Sequence, residues 1–311
     1  MAEIRAADLG VSLPALLTDR TYDPAYAASV NIAPGIRRVL ARNPNPFTFH
    51  GTGTYLVGHG AVAVIDPGPL IDEHVQAILA ATKSETITHI LITHTHNDHS
   101  PAAAPLKALT GARTFGFGPH GSGRNHDSVD VEEGGDTGFV PDVVLRDGDL
   151  VKGDGFTFDA VFTPGHTSNH VCFALKEQAA LFSGDHVMGW STTVIAPPDG
   201  DMAQYFQSLD KLLNRAERIY YPTHGNPIAA PDIFVRLLIE HRHARERQIA
   251  ECLKRGIASI PEMVKVIYSE IDRRLHPAAA RSVLAHLQHM VATGRARATD
   301  GALSERQYSQ A

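Results

Sequence analysis

A run of potential metal ligands directly follows an apolar segment of this chain, and that order limits what the chain can fold into. Residues 87–93 have the length and the β-branched content of a short buried strand. The next six residues, 94–99, contain three histidines and an aspartate, and imidazole is the commonest metal ligand among side chains. A strand that ends in such a turn presents these side chains at the carboxyl edge of a sheet, where open α/β folds bind their ligands. The run therefore predicts a metal site in an α/β fold, with a polar, His-rich turn as the alternative.

Three further candidate ligands stand near the ends of other predicted strands. They are His166 after residues 156–163, Asp185 after residues 180–182, and His224 after residues 219–221. A single histidine after a strand is more often structural than metal-binding. Three such strand ends, together with the cluster at residues 94–99, instead favour one shared metal site.

These motifs resemble those of the metallo-β-lactamase superfamily of dinuclear metallohydrolases, and the resemblance extends over nearly the whole chain. Beyond the ligand motifs, residues 45–48, 51–57 and 62–68 are similar to the opening hairpin of the family. Within the superfamily the chain resembles the lactamase-β-2-like group, because residues 183–189 continue into residues 191–194 as they do there and the carboxyl-terminal region is similar to that group's winged helix. The resemblance implies an α/β fold, with a four-layer αββα metallo-β-lactamase sandwich in residues 1–255 and a small winged-helix-like domain in residues 256–311.

The resemblance also implies which residue binds which metal ion. His94, His96 and His166 would bind a first ion, and Asp98, His99 and His224 would bind a second. Asp185 would bridge the two ions together with a water or hydroxide, which serves as the nucleophile and is oriented by Asp98 as the catalytic residue. We expect two Zn²⁺ ions per chain, with iron or manganese as alternatives. True β-lactamases of the superfamily lack the bridging carboxylate, so antibiotic hydrolysis is not expected.

Several reactions are compatible with such a site. We favour hydrolysis of a small or single-stranded, RNA-like phosphodiester, because two adjacent cations suit a substrate that is anionic and gains charge in the transition state. Hydrolysis of a thioester, ester or lactone is the alternative. A mononuclear iron persulfide dioxygenase comes third, because the winged-helix-like tail argues against it. The hypothesis that the protein is a DNA-binding regulator rests on that tail alone.

Residues that follow Asp185 closely are expected to bind substrate: His186, Trp190, Thr192 and Thr193. Trp190, the single tryptophan, is equally compatible with an anchor in the core. The polar segment at residues 116–139 is longer than a simple connecting loop and predicts a lid or binding loop. Within it, His120 and His126 are expected to have substrate or surface roles.

Composition limits which binding partners and which cellular compartment we expect for this protein. The 311 residues carry a formal net charge of −6, and residues 251–311, with nine Lys or Arg and six Asp or Glu, carry only +3, which disfavours bulk attraction to nucleic acid. Cys172 and Cys252 are too few for a disulfide framework. Residues 1–8 lack the pattern of a signal peptide, and no apolar stretch approaches the ~20 residues of a membrane span. We expect a cytoplasmic protein without membrane contact, acting on a small molecule or a single-stranded nucleic acid, with a homodimer as an option.

Other polar positions are predicted to have structural roles. Asp66 precedes a Pro-Gly pair and is expected to support a turn with its side chain. Ser100 is expected to cap the helix that follows the ligand run. The polar cluster at residues 241–247 is predicted to be the solvated face of a long helix, and His286 and His289 are predicted to lie on the surface.

Overall fold

Two β-sheets form the centre of the molecule. The computed structural model describes residues 24–124, 134–270, 272–301 and 306–311. The first sheet has seven strands in sequence order: β1 Ser29–Ala33, β2 Ile36–Leu40, β3 Gly53–Val57, β4 Ala61–Ile65, β5 Thr86–Leu91, β6 Arg113–Gly116 and β7 Val143–Val144. The second sheet has five, in the spatial order β12-β11-β10-β9-β8: β8 Leu150–Gly153, β9 Phe156–Phe162, β10 Val171–Leu175, β11 Ala180–Gly184 and β12 Ile219–Pro222.

Helices cover the outer faces of both sheets and continue into a carboxyl-terminal tail. The six helices of the described residues are α1 Asp72–Ala81, α2 Ala103–Thr110, α3 Met202–Leu213, α4 Pro231–Lys254, α5 Ile260–Ile267 and α6 His276–Ala292. Two short strands, β13 Ala296–Ala298 and β14 Tyr308–Gln310, pair with each other near the end of the chain. No helix within the described ranges is long and apolar enough to cross a membrane.

The strands divide their side chains between separate cores, because successive residues of a strand point to opposite faces. Tyr55 packs between the two sheets, whereas its neighbour Leu56 packs under α1 and α2. In the same way, Phe173 joins the core between the sheets and Cys172 packs under α3 and α4. The layers are therefore helix, sheet, sheet and helix, and the predicted four-layer αββα sandwich is confirmed.

The tail forms a fourth core that it shares with α4. Its members come from the last turns of α4, from α5 and α6, and from the β13–β14 hairpin: Ile249, Cys252, Leu253, Met263, Val264, Ala279, Val283, Leu287, Met290, Ala296 and Tyr308. The β13–β14 hairpin occupies the position of the wing in this winged-helix-like tail. The amino-terminal half of α4 packs on the second sheet through Phe234 and Leu238. The predicted boundary at residue 255 thus falls at the end of a helix that belongs to both cores.

The structure corrects the predicted roles of the polar face of α4 and of two tail histidines. Arg242 and Glu246 are each only 3% exposed, because α6 and the wing pack against this face. The ring of His289 lies 2.7 Å from one carboxylate oxygen of Glu246, and Arg295 donates to the other at 2.6 Å. His286 is fully buried in the same contact. The solvated face and the surface positions of the two histidines were therefore wrong predictions.

The helix after the ligand run also begins later than predicted. Helix α2 starts at Ala103, and its amino terminus has no side-chain cap. Ser100 donates instead to Asp136 at 2.7 Å. The predicted cap is therefore wrong, and Ser100 joins the ligand loop to the segment that follows residue 134.

Candidate metal centre

The predicted ligands meet at one edge of the two sheets. The loop with residues 94–99 follows β5, and His166, Asp185 and His224 follow β9, β11 and β12. Gly184 makes the turn from β11 into Asp185 with a φ of +53°. A Cβ atom there would lie 2.6 Å from the ring of His170 and 2.8 Å from the hydroxyl of Thr93, so only glycine lets this turn approach β5 so closely.

Three imidazole nitrogens form the first ligand group. The Nδ1 atom of His96 lies 3.0 Å from Nε2 of His94 and 3.1 Å from Nε2 of His166. Ligands bonded to one zinc ion at about 2.0–2.1 Å in tetrahedral geometry are separated by roughly 3.3 Å. These nitrogens are therefore placed as neighbouring ligands of a single ion.

A second group lies beside the first and is separated from it by a carboxylate. The Oδ2 atom of Asp98 lies 3.1 Å from Nε2 of His224 and 3.5 Å from Nε2 of His99. Asp185 directs Oδ1 to this second group, 3.4 Å from His224 and 3.5 Å from His99, and places Oδ2 3.8 Å from Nε2 of His166 in the first group. One oxygen thus faces each group, as a bridging ligand requires. The structure brings all seven predicted ligands together.

The outer ring nitrogens of the ligands are held by hydrogen bonds that fix each ring. His99 donates from Nδ1 to Asp66 at 2.9 Å, His166 to the carbonyl of Val194 at 2.6 Å, and His224 to the carbonyl of Gly51 at 3.1 Å. Such bonds leave Nε2 of each ring as a lone-pair donor, an arrangement typical of metal-binding histidines. Among the described residues, the buried Nε2 of His99 and Oδ1 of Asp185 have no hydrogen-bond partner. Because buried polar atoms are rarely left without one, this donor set fits metal ions.

The pKa values of the candidate ligands differ between the two groups. Burial, and then the neighbouring rings of His99 and His96, hold the pKa of His94 well below its usual range. Burial also opposes the charged form of His224, but Asp185 and Asp98 outweigh it and raise the pKa of His224 to about 10. Two buried carboxylates thus favour cations beside them. A metal ion held by Asp98, His99, His224 and Asp185 would supply that charge in place of a proton.

Asp66 has a role at the site that differs from the turn role predicted from the sequence. Its side chain is 1% exposed and does not support its own turn. It accepts hydrogen bonds from the backbone N–H of Thr93 at 2.8 Å, and from the hydroxyls of Thr93 at 2.7 Å and Thr223 at 3.0 Å, in addition to the bond from His99. The available signal was that Asp66 directly follows β4, which runs parallel to β5, so the residues after the two strands lie at the same edge of the sheet.

A cavity of about 1000 Å³ opens over the ligands, at the upper end of the volumes usual for small-molecule sites. Trp190 and Thr192 line it, and the indole of Trp190 stacks on Phe49 with 4.9 Å between ring centroids. Thr193 is buried and donates to the carbonyl of Asp185 at 2.8 Å. The structure places His186 away from the cavity, fully buried against Tyr205.

The remaining parts of the cavity come from the loops around the ligands and from the tail. His120 is half-buried behind the ligand loop, 3.0 Å from the hydroxyl of Thr95, whereas His126 lies outside the described residues. The first residue described after that gap, Gly134, lines the cavity. The tail supplies a further group of lining residues: Asp272, Arg274, Leu275, Pro277, Ala278 and Arg281.

Known proteins share both parts of this architecture. The model of the metallo-beta-lactamase superfamily matches residues 48–224, and that of the beta-lactamase associated winged helix domain matches residues 259–304. A beta-lactamase-like protein 2 homolog from Drosophila melanogaster is 33% identical over 295 residues, which cover 89% of this chain and 95% of the relative. An atrochrysone carboxyl ACP thioesterase from Aspergillus fumigatus is 31% identical over 258 residues, 77% of this chain and 75% of the relative.

A solved structure agrees in fold. The crystal structure of a beta-lactamase domain protein from Burkholderia ambifaria superimposes with a TM-score of 0.76 at 21% identity, covering 95% of this chain and 97% of that one. The family match spans more than half of the chain and includes all seven ligand positions. The chain therefore belongs to the metallo-β-lactamase superfamily, and it is a metal-dependent hydrolase with an appended winged helix domain.

Proposed function

We propose that this chain is a dinuclear zinc hydrolase that cleaves acyl thioesters of small molecules. The observation that carries the proposal is the apolar wall of the cavity above the ligands. Phe47, Met188, Trp190, Val194 and Leu275 contribute to that wall, and the side chain of Phe47 is half-exposed. A wall of this kind binds hydrocarbon, at roughly 0.8 kcal/mol for each buried methylene group.

The same wall disfavours the RNA-like phosphodiester that we expected from the sequence. A nucleic acid strand is held mainly by cations placed along its phosphates. Among the described residues that line the cavity, Arg274 and Arg281 are the cationic side chains apart from the ligand histidines, and both belong to the tail. Two arginines at one side do not form a path for a polyanion, whereas the apolar wall suits an acyl chain. The thioesterase from Aspergillus fumigatus, similar over three quarters of this chain, supports the same choice.

The chemistry of a thioester also suits this site. Zinc ions, when bound by the two ligand groups, would lower the pKa of a coordinated water towards about 7 and polarise the thioester carbonyl. Asp98 lies on the cavity wall with 26% of its side chain exposed, so its carboxylate is placed to accept a proton from the attacking water. The hydroxyl of Thr52 donates to Asp98 at 3.3 Å and holds it in that orientation. The thiol that leaves has a pKa near ~8.5, so it departs as a thiolate without needing a general acid.

A phosphodiesterase remains the second candidate because of one observation. Asp185 directs one oxygen to each ligand group, and a carboxylate-bridged pair of ions can hold both the attacking and the leaving oxygen of a phosphodiester. Such a substrate would have to be small, since the described residues that line the cavity form no cationic path beyond it.

The test is a turnover panel on zinc-loaded protein, with an octanoyl thioester, an activated phosphodiester and single-stranded RNA. We expect kcat/KM for the thioester to exceed that for either phosphodiester by at least about tenfold, or about 1.4 kcal/mol of transition-state stabilisation. His96→Ala should abolish turnover. His59→Ala, which removes an exposed histidine from the turn between β3 and β4, is the matched control and should not.

Elemental analysis of the same preparation should find about two zinc equivalents per chain. Less than half an equivalent after zinc loading would contradict the dinuclear centre. One tightly bound iron would instead favour the dioxygenase. Phosphodiester cleavage without thioester turnover would assign the second candidate.

A further inference from the structure

The loop at residues 191–195, which lies between the metal ligands and α4, has little backbone support of its own. It belongs to no helix or strand, and within the described part of the chain none of its N–H or carbonyl groups bonds to another backbone group. Ile195 is fully buried in the core under α3 and α4, but apolar packing is not directional. The orientation of the loop therefore depends on hydrogen bonds that involve side chains.

Two adjacent residues of this loop support metal ligands. The carbonyl of Val194 accepts from Nδ1 of His166, a member of the first ligand group, at 2.6 Å. The hydroxyl of Thr193 donates to the backbone carbonyl of Asp185, the bridging candidate, at 2.8 Å. A movement of the loop would therefore disturb one ligand of the first group and the carboxylate between the two groups.

Arg242 reaches the same loop from α4. Its guanidinium donates to the carbonyl of Thr193 and lies over the ring of Tyr205, 5.3 Å from the centroid. Arg242 is 3% exposed and Thr193 is 1% exposed, so water does not compete for this hydrogen bond. A bond from a charged donor is roughly twice as strong as one between neutral groups. The loop thus has one strong, directional contact with α4.

This contact acts on both supported ligands because it holds a single peptide group. The carbonyl of Thr193 belongs to the planar unit that joins Thr193 to Val194 and includes the Cα atoms of both residues. One of these Cα atoms bears the hydroxyl side chain that binds the carbonyl of Asp185. The other precedes the carbonyl that accepts from His166. Rotation of this unit would therefore move both hydrogen bonds at once.

We infer that Arg242 is a positioning residue of the metal centre, which holds His166 and Asp185 in their binding orientation through the peptide group between Thr193 and Val194. Arg242 is not among the described residues that line the cavity, so it acts on metal binding and not by contact with the substrate. The inference needs only a metal ion at the ligands and does not depend on the proposed thioester. It also connects the metal centre to the helix that the catalytic domain shares with the tail.

The experiment compares the same replacement at two arginines of α4. Arg242→Met removes the donor and fills the buried space with an unbranched, adaptable apolar side chain. Arg245→Met is the matched control, because Arg245 also lies over a tyrosine ring, 4.1 Å from the centroid of Tyr268, but donates to Gln248 of its own helix. Zinc competition with a chromophoric chelator measures the dissociation constants of the bound ions. Urea unfolding of the metal-free protein measures the stability of each variant.

We expect Arg242→Met to raise the dissociation constant of the first ligand group about tenfold, the lower end of the effect of losing a direct partner of a metal-binding histidine. His166→Ala identifies that constant, because it removes a ligand nitrogen from this group alone. Arg242→Lys keeps a charged donor on a flexible stem and should raise the same constant less, about threefold. Arg245→Met should leave the zinc affinities unchanged, whatever stability it loses.

An unchanged constant for the first group in the Arg242 variants would overturn the inference. An equal rise in Arg245→Met would do the same, because it would show that any loss of stability in α4 weakens zinc binding. If Arg242→Met does not fold, Arg242→Lys decides the question by the same two measurements. Turnover does not enter this comparison, so a chain that cleaves a phosphodiester and no thioester would count against the proposed function and leave the role of Arg242 intact.

Discussion

Replacement of Asp66 by asparagine should weaken metal binding more than folding. The carboxylate accepts four hydrogen bonds. Two come from N–H groups: the backbone N–H of Thr93, which is always a donor, and Nδ1 of His99, which must donate when Nε2 binds a metal ion. An amide has one accepting oxygen, so one of these donors loses its acceptor. A buried donor without a partner costs about 1–3 kcal/mol of the free energy of unfolding. Loss of the bond that orients a metal-binding histidine typically lowers metal affinity about 10- to 100-fold, or about 1.4–2.7 kcal/mol.

The assay is zinc competition with a chromophoric chelator, combined with urea unfolding of the metal-free protein. Asp142→Asn is the matched control, because Asp142 also accepts from the backbone N–H and the hydroxyl of one threonine, Thr114, at 2.9 and 3.0 Å, but lies away from the ligands. We expect both variants to lose stability and only Asp66→Asn to lose zinc affinity. Wild-type zinc affinity in Asp66→Asn, with a stability loss like that of the control, would refute the reasoning.

Two further outcomes are expected. Asp185→Asn should retain about one zinc equivalent by elemental analysis and lose activity by orders of magnitude, because a neutral amide bridges two cations poorly; full metal content with normal turnover would show that Asp185 is not the bridge. Glu246→Gln should lower the free energy of unfolding at neutral pH by about 1–3 kcal/mol. Burial opposes the charge of Glu246, but the nearby rings of His243 and His286 and the hydrogen bonds from His289 and Arg295 hold its pKa well below the usual range. Its stabilisation is therefore present above the unfolded pKa of about 4.3 and is lost as the pH falls below it, so urea unfolding should find the two proteins converging in acid.

The meeting of the seven candidate ligands could be predicted because each of them belongs to a local pattern. His94, His96, Asp98 and His99 share one loop, and His166 and Asp185 each follow a recognisable strand, so strand ends at one edge of the sheets bring them together. The long helix predicted around residues 241–247 is likewise present, as α4, Pro231–Lys254. Strands and helices of this kind are predicted from the local pattern of apolar residues, without knowledge of contacts between distant parts of the chain.

Contacts between distant parts of the chain could not be predicted in this way. Glu246 meets His289 across 43 residues and Asp66 meets His99 across 33. In a helix with charges on all sides, the spacing of polar residues does not show which face another domain will cover, so residues 241–247 looked solvated. The part of the cavity formed by the tail has the same origin. Leu275 and Pro277 lie in the tail, and only the packing of α6 brings them to the cavity that His96 and Asp98 also line.

Helix α4 limits how the molecule can move during turnover. Its first turns are anchored under the second sheet by Phe234 and Leu238, and its last turns complete the core of the tail through Ile249 and Leu253. At 24 residues it is a continuous rod of about 36 Å with no hinge between the two halves. A swing of the tail away from the cavity would have to bend this rod or pull Ile249 and Leu253 out of their core. Substrate access and product release are therefore expected to depend on the loops at the rim, such as residues 45–48, with opening on the microsecond to millisecond timescale of loop gating.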